Sequence, residues 1–435
     1  MLRRIGLLNF KCFERLDLPC APLNLLCGLN GMGKSSVIQS LLVLRQSFRT
    51  GGLLEGRLIL GGTLTDLGVG SEVVFEGKDD AIVGFVLFGD ETAAGDETVE
   101  RDAPWAWAFE HAKAGDQLTA VTPDKVERIL RAEGNPTAWR HAKLPSSADV
   151  VASDAALERI GLPVPEDGQG RYPRAWVARA WRSVPPFGGR VVHVPAERVG
   201  PRKSYPMAEI LARHGDFGAS GEYAWNYLNV RQNEVLPDDD PRCAVSAGHR
   251  LIDVVDHWLQ DVSPGAHLQL RAVSDADAVT AGFTFDRAGD AAPRRFRATN
   301  VGFGLSFVLP VLLCLLATPG TLCLVENPEA HLHPRGQTKL AELAVRAARA
   351  GVQVFVETHS DHFIDGVRIA VRDGLIAPGD TQFHYFERQG DGRVGVSSPT
   401  VDSDGRLSHW PAGFFDQHED NLARLLAPKS RNGRS

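Results

Sequence analysis

The stretch Gly28–Ser36, GLNGMGKSS, decides the fold that we expect for this chain. It matches the phosphate-binding pattern G-x-x-x-x-G-K-S/T, with Gly28, Gly33, Lys34 and Ser35 at the fixed positions. An apolar run typical of a strand precedes it, and an amphipathic run typical of a helix follows it. In that setting backbone amides, the helix N-terminus and the lysine charge face the phosphates, and the serine hydroxyl can bind Mg²⁺. The sequence therefore predicts a P-loop for a nucleoside triphosphate, formed by Gly28, Leu29, Asn30, Gly31, Met32, Gly33, Lys34, Ser35 and Ser36.

The overall composition is that of an ordinary soluble globular protein. The chain has 435 residues, of which 43% are hydrophobic and 23% charged, and its formal net charge is -7. The length indicates either one large domain with an insertion or two to three domains. The acidic balance provides no global basic field that would recruit nucleic acid, so DNA binding would require a local basic groove.

Cysteine placement and hydropathy indicate a cytoplasmic protein. The six cysteines include no C-x-x-C pair, which suits free thiols in a reducing compartment. The most apolar stretch, VGFGLSFVLPVLLCLLATPG, falls short of the roughly 20 apolar residues that a membrane span needs, and it contains Pro310. We expect this stretch to form a buried helix, and we expect no membrane association.

The order of apolar runs predicts an α/β fold that is divided by an insertion. After residue 295, helix-like runs alternate with fully apolar strand-like runs, which is typical of a parallel sheet covered on both faces. Between about 95 and 190 the sequence is polar and rich in turn residues. We expect the N-terminal half of the head over residues 1–94, a mostly helical insertion with lid and dimer contacts over 95–290, and the C-terminal half over 291–435.

A second motif, TLCLVENPEAHLHP at Thr321–Pro334, places an acidic residue at the end of an apolar strand. Glu326 stands where a P-loop enzyme holds Mg²⁺ through water, so we predict that Ser35 and Glu326 share the metal. Asn327 follows it, and an amide can orient a water molecule but cannot take its proton. Loss of a general base costs about 10²- to 10⁴-fold in rate. Two hypotheses stay open: Glu329 is the base, or Asn327 only positions water in a slow enzyme.

Histidines near these motifs allow two interpretations. His331 and His333, together with His359 and His362, could be taken for a zinc site, but no cysteine or carboxylate supplies a fourth ligand at the usual spacing. We favour loop packing or a subunit contact for His331 and His333. His359 follows a buried strand, where an imidazole can donate a hydrogen bond to a γ-phosphate.

The turn VGFGLS opens the long apolar helix. It places Gly302, Gly304 and Ser306 at a helix N-terminus, where small residues and a hydroxyl can form a second anion cradle. This signal is weak by itself, and it gains weight because it precedes the acidic strand.

The motif order NFKCF, GLNGMGKSS, VGFGLS, LCLVENPEAHLHP and VETHSDHF resembles the ABC-type ATPase heads of the recombination and chromosome-maintenance class. The resemblance is closest to bacterial AAA-family ATPases related to the overcoming-lysogenization-defect proteins and to ATPase subunits of phage-defence systems. It covers residues 1–75 and 295–426, and it implies a P-loop NTPase fold with a mixed or parallel sheet.

Carried over by position, the resemblance implies roles for individual residues. Gly28–Ser36 would be the Walker A motif and Glu326 the Walker B acid, with His359 as the switch histidine. Gly304 and Ser306 would be the signature that reaches the γ-phosphate of ATP held by a second protomer. An ATP-sandwich homodimer follows from this. The match is incomplete at two further positions, because Phe307 replaces a frequent glutamine and only Asp66 is available for the Q-loop position.

Two more features have competing interpretations. Nuclease relatives carry a Toprim domain with a D-x-D pair, but Asp402 and Asp404 precede a glycine in a composition typical of a plain turn, and the tail is short. Trp410, Phe414 and Phe415 are expected to pack the tail on the head. A basic loop with Arg198, Arg202 and Lys203 is either solvated or contacts nucleotide, nucleic acid or a partner.

The sequence thus favours a cytoplasmic, Mg²⁺-dependent ATPase that forms an ATP-sandwich homodimer and drives or licenses a partner in phage defence or DNA maintenance. The alternative is a nucleotide-sensing scaffold that hydrolyses little ATP and assembles with an effector such as a nuclease. A P-loop kinase is disfavoured, because the signature-like turn and His359 would then have no purpose.

Overall fold

The computed structural model describes residues 1–77, 82–89, 105–112, 115–121, 188–208, 215–243, 248–286, 294–411 and 417–426. Its strands are β1 (Leu2–Phe10), β2 (Phe13–Pro19), β3 (Leu23–Gly28), β4 (Arg57–Leu58), β5 (Ile82–Gly89), β6 (Trp105–Ala112), β7 (Gln117–Ala120), β8 (Val191–Val194), β9 (Tyr205–Pro206), β10 (Ala266–Val273), β11 (Ala278–Phe285), β12 (Phe296–Arg297), β13 (Leu322–Glu326), β14 (Gln353–Glu357), β15 (Thr381–Arg388) and β16 (Val394–Ser397). Its α-helices are α1 (Lys34–Arg49), α2 (Gly70–Val73), α3 (Ala224–Arg231), α4 (Leu251–Val262), α5 (Phe303–Leu315), α6 (Pro334–Arg349), α7 (Asp361–Arg372) and α8 (Gln417–Leu426).

A mixed sheet assembled from distant parts of the chain forms the centre of the fold. Its strand order is β16-β15-β3-β14-β13-β8, and every pairing is parallel except that of the edge strand β16. Strand β14 therefore lies between the P-loop strand β3 and the acidic strand β13, with Glu357 opposite Glu326 in register. The expected α/β fold of the P-loop type, with a mixed sheet, is confirmed.

Alternate residues of the central strands enter two separate hydrophobic cores. Leu26, Leu324 and Phe355 join α1 and the antiparallel sheet β2-β1-β5-β6-β7-β4 on one side. Cys27 and Val325 join α4–α7 and the small sheet of β9–β12 on the other. Burial on both faces explains why the strands are apolar without interruption.

The amide of Gln353 ties the N-terminal strand to the central sheet. Its oxygen accepts from the Leu2 nitrogen at 2.7 Å, and its nitrogen donates to the carbonyl oxygens of Leu2 at 2.6 Å and Ala21 at 3.0 Å. Because these groups are buried, leaving any of them unpaired would be costly.

The described parts of the segment 95–290 contain more strand than helix. Strands β6 and β7 extend the antiparallel sheet, β8 is the edge strand of the central sheet, and β9–β11 form most of the small sheet. The expectation of a mostly helical insertion does not fit these residues, because their apolar alternation forms strands. Strands β6, β7, β10 and β11 pair with neighbouring strands in the chain, whereas β8 pairs with the distant β13. The helix-like run PDKVERILRAEG at 123–134 lies outside the described residues, and the boundaries at 94 and 290 stay predictions.

The apolar stretch around Pro310 is a buried helix, as predicted. In α5, residues 308, 309 and 311–315 are at most 1% exposed, and Pro310 lies buried inside the helix. In the part of the chain that the structure describes, no helix combines the length and hydropathy needed to cross a membrane.

Candidate nucleotide site

Three glycines of the P-loop have positive φ angles, and two of them are also confined sterically. The φ angles are 133° at Gly28, 75° at Gly31 and 85° at Gly33. A Cβ atom would lie 2.2 Å from the Phe386 carbonyl oxygen at Gly28 and 2.4 Å from the Cys12 sulfur at Gly33. At Gly31, no described atom lies within 4 Å of that position. The loop is therefore supported by β15 on one side and by the β1–β2 turn on the other.

Lys34 opens helix α1 with a buried ammonium group. Its side chain is 3% exposed, and Nζ donates to the carbonyl oxygens of Gly28 at 3.0 Å and Leu29 at 2.8 Å. Burial lowers the pKa of Lys34, and the carboxylate of Glu357, 4.0 Å away, counteracts this. The positive charge and the N-terminus of α1 thus lie at the same end of the loop.

Glu357 is a site residue that the sequence analysis did not identify. The Ser35 hydroxyl donates to its Oε1 at 3.0 Å, while Oε2 is buried without a hydrogen-bond partner among the described residues. The residue is only 6% exposed. Burial is the main cause that raises the pKa of Glu357 to about 7, and the charges of Glu326 and Glu329 add to it against the effects of Ser35 and Lys34.

Glu326 ends β13 as predicted, but its carboxylate has other partners. His193 Nε2 lies 2.9 Å from Oε1, and the Ala196 amide donates to Oε2 at 3.3 Å. His193 is on β8, on the side of β13 away from the P-loop. The pair predicted to share Mg²⁺, Ser35 and Glu326, is therefore not joined by a hydrogen bond in this structure; each member bonds to a different residue.

Asn327 occupies a backbone conformation that is fixed from both sides. Its φ is +44°, its amide donates to the Glu357 carbonyl oxygen at 2.8 Å, and its own carbonyl accepts from Arg198 at 2.7 Å. Arg198 also donates to the Glu326 carbonyl oxygen at 2.8 Å. Left-handed φ values are uncommon outside glycine and are tolerated best by asparagine and aspartate. The Asn327 side-chain oxygen is buried and has no partner in the described ranges.

Arg198 is neither a solvated loop residue nor a free cation. It is 5% exposed, and burial lowers the pKa of Arg198 to about 10 against the opposing charges of Glu329 and Glu326. Its guanidinium also lies over the Phe307 ring, 5.6 Å from the centroid. The other two basic residues of this loop, Arg202 and Lys203, are exposed.

Glu329 and His359, which were predicted to act on the same water and phosphate, are brought together. Glu329 Oε1 accepts from the His359 amide at 2.7 Å, and Oε2 accepts from the Thr358 hydroxyl at 2.8 Å. Burial raises the pKa of Glu329 against these hydrogen bonds, and partial burial with the charge of Lys34 lowers the pKa of His359. The loop that follows β13 and carries Glu329, called the acidic loop below, therefore positions the residues that follow β14.

The signature-like turn packs on the loop of the acidic strand. A Cβ at Gly304 would lie 2.6 Å from the His331 carbonyl oxygen, and the Phe307 ring contacts the His331 ring at a centroid distance of 4.7 Å. Phe303 is 57% exposed, whereas Ser306 is fully buried and its hydroxyl has no hydrogen-bond partner among the residues described. That Ser306 reaches the phosphate of ATP held by a second copy stays a prediction. Such a contact would require this turn to open, because Ser306 is buried.

The remaining motifs have structural contacts. His333 caps α6 by accepting from the Arg335 amide at 3.3 Å. Asp402 Oδ1 accepts hydrogen bonds from the amides of Asp404 and Arg406. These bonds within one turn agree with the interpretation of this segment as a plain turn. Asp66 is exposed and accepts from the Gly68 amide at 3.1 Å, within its own turn.

The C-terminal tail is only partly within the described residues. The Trp410 ring packs against Arg368, whose guanidinium carbon lies 5.2 Å from the ring centroid. Phe414 and Phe415 lie outside the described residues. Over the described ranges, no group of three or more His, Cys, Asp or Glu side chains is arranged to hold a metal ion by itself.

Two family models match the chain. One, described as "AAA domain, putative AbiEii toxin, Type IV TA system", matches residues 138–365, which is more than half of the chain. The other, described as a protein of unknown function (DUF3696), matches residues 376–425. No curated protein matches the sequence.

Several solved structures are similar at low identity. The Smc head bound to the C-winged helix domain of ScpA has 14% identity and a TM-score of 0.43, over 92% of this chain and 98% of that chain. The Smc head with an extended coiled coil from Pyrococcus furiosus, bound to the C-terminal domain of ScpA, has 14% identity and a TM-score of 0.42, over 98% and 99%. The SMC head domain from Thermotoga maritima has 12% identity and a TM-score of 0.39, over 92% and 99%.

Proposed function

Because this chain belongs to the AAA-domain family whose model matches residues 138–365, we propose that it is a Mg²⁺-dependent ATPase. The observation that carries the proposal is the contact of the P-loop with a buried carboxylate. Ser35 donates to Glu357 at 3.0 Å, and the Lys34 ammonium lies 4.0 Å from the same carboxylate. An ammonium, a hydroxyl, a carboxylate and a helix N-terminus at one point are the groups that hold a triphosphate with its cation.

In the proposed reaction, the P-loop neutralises the phosphates and the acidic loop handles the water. Lys34 and the amides at the start of α1 would hold the β- and γ-phosphates. Mg²⁺, held by Ser35 and a carboxylate, would withdraw charge from the phosphate oxygens. Glu329 would accept the proton of the attacking water, which Asn327 orients, while His359 donates to the γ-phosphate. Positioning and charge neutralisation would supply most of the rate enhancement.

We further propose that two copies sandwich ATP, with Gly304 and Ser306 of one copy completing the site of the other. The order of the motifs supports this, as does the exposed turn at Phe303 beside the acidic loop. Since Ser306 is buried, association would have to move the first turn of α5. ATP-driven association would then drive or license an effector protein in the cytoplasm. The family description, which names a toxin of a toxin–antitoxin system, supports a role in phage defence over one in DNA maintenance.

A nucleotide-sensing scaffold that hydrolyses little ATP is the second candidate function. Asn327 cannot accept a proton, and both carboxylate oxygens of Glu329 already accept hydrogen bonds from Thr358 and His359. If those bonds persist with ATP bound, no carboxylate is free for the water.

Steady-state ATP hydrolysis and equilibrium ATP binding by the full chain separate these functions. The wild type is expected to hydrolyse ATP with Mg²⁺, and Lys34→Ala is expected to abolish turnover and weaken ATP binding. Lys203→Ala, which removes an exposed lysine, is the matched control and should change neither property. Tight binding without turnover in the wild type would support the scaffold, and absence of ATP binding would overturn both.

A further inference from the structure

The carboxylate of Glu326 is held by two donors from the neighbouring outer strand and the loop that follows it. His193 Nε2 lies 2.9 Å from Oε1, and the amide of Ala196 donates to Oε2 at 3.3 Å. An ionised carboxylate can only accept hydrogen bonds, so the imidazole is the donor in this pair. Both side chains are largely buried, with exposed fractions of 13% for His193 and 15% for Glu326. The carboxylate is therefore held in one orientation.

Strand register places the imidazole on the face of the sheet where the P-loop helix lies. His193 is opposite Leu324 in the parallel pairing of β8 with β13, and paired residues project to the same face. Leu324 belongs to the hydrophobic core that contains α1. Glu326 follows two positions later in the strand, so its side chain projects to this face too. His193 and Glu326 thus meet on the side of the sheet that α1 covers.

The same short segment also fixes the backbone of Glu326. Arg198 donates to the Glu326 carbonyl oxygen at 2.8 Å. Residues 193–198 therefore contact Glu326 through an imidazole, a backbone amide and a guanidinium. Restraint of both the backbone and the carboxylate leaves this side chain little freedom, which is the condition that a metal-binding group requires.

The contacts of the carboxylate leave it able to bind a hydrated cation. Each oxygen of Glu326 accepts one of the two hydrogen bonds, and each can accept another. An imidazole can donate while it is neutral, so it can orient Glu326 without cancelling the negative charge that attracts Mg²⁺. Glu326 ends β13, two strands from β3, and neighbouring strands lie about 4.8 Å apart. This spacing suits a cation that keeps several of its water ligands.

We propose that His193 is the positioning residue that orients Glu326 for the Mg²⁺ accompanying ATP. This assignment rests on the proposed ATPase function, and it adds a residue of the outer strand β8 to the site. Groups that hydrogen-bond to a metal-binding carboxylate fix its orientation, and their loss typically lowers metal affinity by about 10- to 100-fold. His193 acts only through Glu326, so nucleotide binding in the absence of metal does not depend on it.

The test measures how far Mg²⁺ strengthens nucleotide binding, independently of turnover. Isothermal titration calorimetry of the full chain with a non-hydrolysable ATP analogue is carried out with Mg²⁺ and with EDTA. The readout is the ratio of the two affinities, which by linkage also reports how far the analogue strengthens Mg²⁺ binding. We expect a ratio of about tenfold or more in the wild type and a ratio about tenfold lower in His193→Leu. The affinity in EDTA should be the same in both proteins.

Two further variants separate the hydrogen-bond donor from the ring. His193→Gln places an amide nitrogen near the position of Nε2, so its ratio should lie within about threefold of the wild-type value. His193→Asn is shorter, so its amide nitrogen matches Nδ1 instead, and its ratio should be as low as that of His193→Leu. His409→Leu, which removes the hydrogen bond of an exposed histidine to Ser397, is the control and should keep the wild-type ratio. The pair His193→Gln and His193→Asn keeps the test decisive if His193→Leu does not fold, as checked by thermal denaturation.

A double-mutant cycle tests whether His193 acts through Glu326. Glu326→Gln alone should lower the ratio, and the addition of His193→Leu should lower it no further, because the carboxylate that His193 orients is already gone. Additive losses would show that the histidine acts by another route and would overturn the assignment.

The remaining outcomes are equally clear. A wild-type ratio in His193→Leu would overturn the assignment, as would equal losses in His193→Gln and His193→Leu. A loss of affinity in EDTA as large as the loss in Mg²⁺ would mean that His193 only supports the fold, and it would overturn the assignment too. A wild type that binds the analogue equally well with and without Mg²⁺ would refute the metal role alone, whereas no binding at all would refute the ATPase proposal.

Discussion

Arg198 donates a hydrogen bond of 2.7 Å to the carbonyl oxygen of Asn327, a residue whose φ of +44° places it in the left-handed region. The same guanidinium donates to the Glu326 carbonyl oxygen at 2.8 Å. One buried side chain from the loop after β8 therefore fixes the backbone that follows the acidic strand. The placement of Asn327 and Glu329 depends on this residue.

We expect Arg198→Lys to lower kcat by about tenfold or more, with a smaller change in KM for ATP. A lysine ammonium cannot reproduce the planar fork that serves two carbonyl oxygens, so the acidic loop would lose its fixed position. The free energy of unfolding should also fall, by about 1 to 3 kcal/mol, because a buried acceptor is left unpaired. Enzyme kinetics and chemical denaturation check both values. Arg202→Lys, at an exposed position in the same loop, should behave as wild type, and an unchanged kcat in Arg198→Lys would contradict the role.

Gly28→Ala should destabilise the fold far more than Gly31→Ala, although both residues have positive φ. A Cβ at Gly28 would lie 2.2 Å from the backbone oxygen of Phe386, which cannot move without disturbing β15, whereas the position at Gly31 is open among the described atoms. We expect a loss of about 1 kcal/mol for Gly31→Ala from backbone strain and about 3 kcal/mol or more for Gly28→Ala. Thermal and urea denaturation provide the comparison. Equal losses would show that backbone strain alone, and not the contact with Phe386, requires glycine.

Glu329→Gln distinguishes a proton acceptor from a positioning group. If Glu329 is the base, kcat should fall by about 10²-fold or more while ATP affinity stays near the wild-type value. Glutamine keeps one oxygen that can accept from the His359 amide, so a purely positioning role predicts a much smaller loss. Single-turnover kinetics give the rate of the chemical step, and Asn327→Ala reports separately on the orientation of water. A Glu329→Gln enzyme as fast as the wild type would exclude Glu329 as the base.

His384 should make the protein sensitive to acid. It is fully buried on β15 with Nδ1 2.8 Å from the Ser398 hydroxyl, and burial lowers the pKa of His384 to about 3. In the unfolded chain this histidine binds a proton near the ordinary histidine pKa of about 6.5. Its contribution to the free energy of unfolding is therefore fully present above that pH and is lost as the pH decreases toward the pKa of the folded protein. At pH 4.5 the loss from this residue should approach about 2 to 3 kcal/mol.

The measurement for His384 is urea denaturation between pH 7.5 and pH 4.5. His384→Gln should show a shallower decline of stability over this range, even if it is less stable at pH 7.5. His362→Gln, which removes an exposed histidine, is the control and should keep the wild-type slope. A slope that is the same in all three proteins would mean that His384 does not determine the acid response.

The P-loop could be predicted because its residues are contiguous in sequence. Glu357, the carboxylate that Ser35 contacts, could not, because it is brought there by long-range strand pairing. The glycines, Lys34 and the apolar face of the following helix lie within one continuous segment, so their pattern indicates strand, turn and helix directly. Glu357 was missed because its strand follows β13 in the chain yet lies between β13 and β3 in the sheet. A signal was present in the run QVFVE, which places an acid at the end of an apolar strand, as LCLVE does for Glu326.

The same distinction explains the differences in the segment 95–290 and in the basic loop. Strands β8 and β9 are short, and nothing in their own sequence identifies their partners β13 and β11, which follow much later in the chain. Arg198 looks like a loop cation by composition, and only the approach of that loop to Glu326 and Asn327 makes it a buried donor. Patterns of residues report on nearest neighbours in sequence, whereas these contacts are set by packing.

The position of the P-loop strand between β14 and β15 has a consequence for synthesis on the ribosome. Residues 23–28 pair on one side with 354–357 and on the other with 381–386, so their partners emerge more than 300 residues later. Until Phe386 has been made, a nascent chain carries the motif without the sheet that supports it. Long-range pairing of this kind forms slowly and leaves strand edges exposed in the meantime. Capture of nucleotide is thus confined to chains that extend past Phe386, and a product terminated before that residue would be inert.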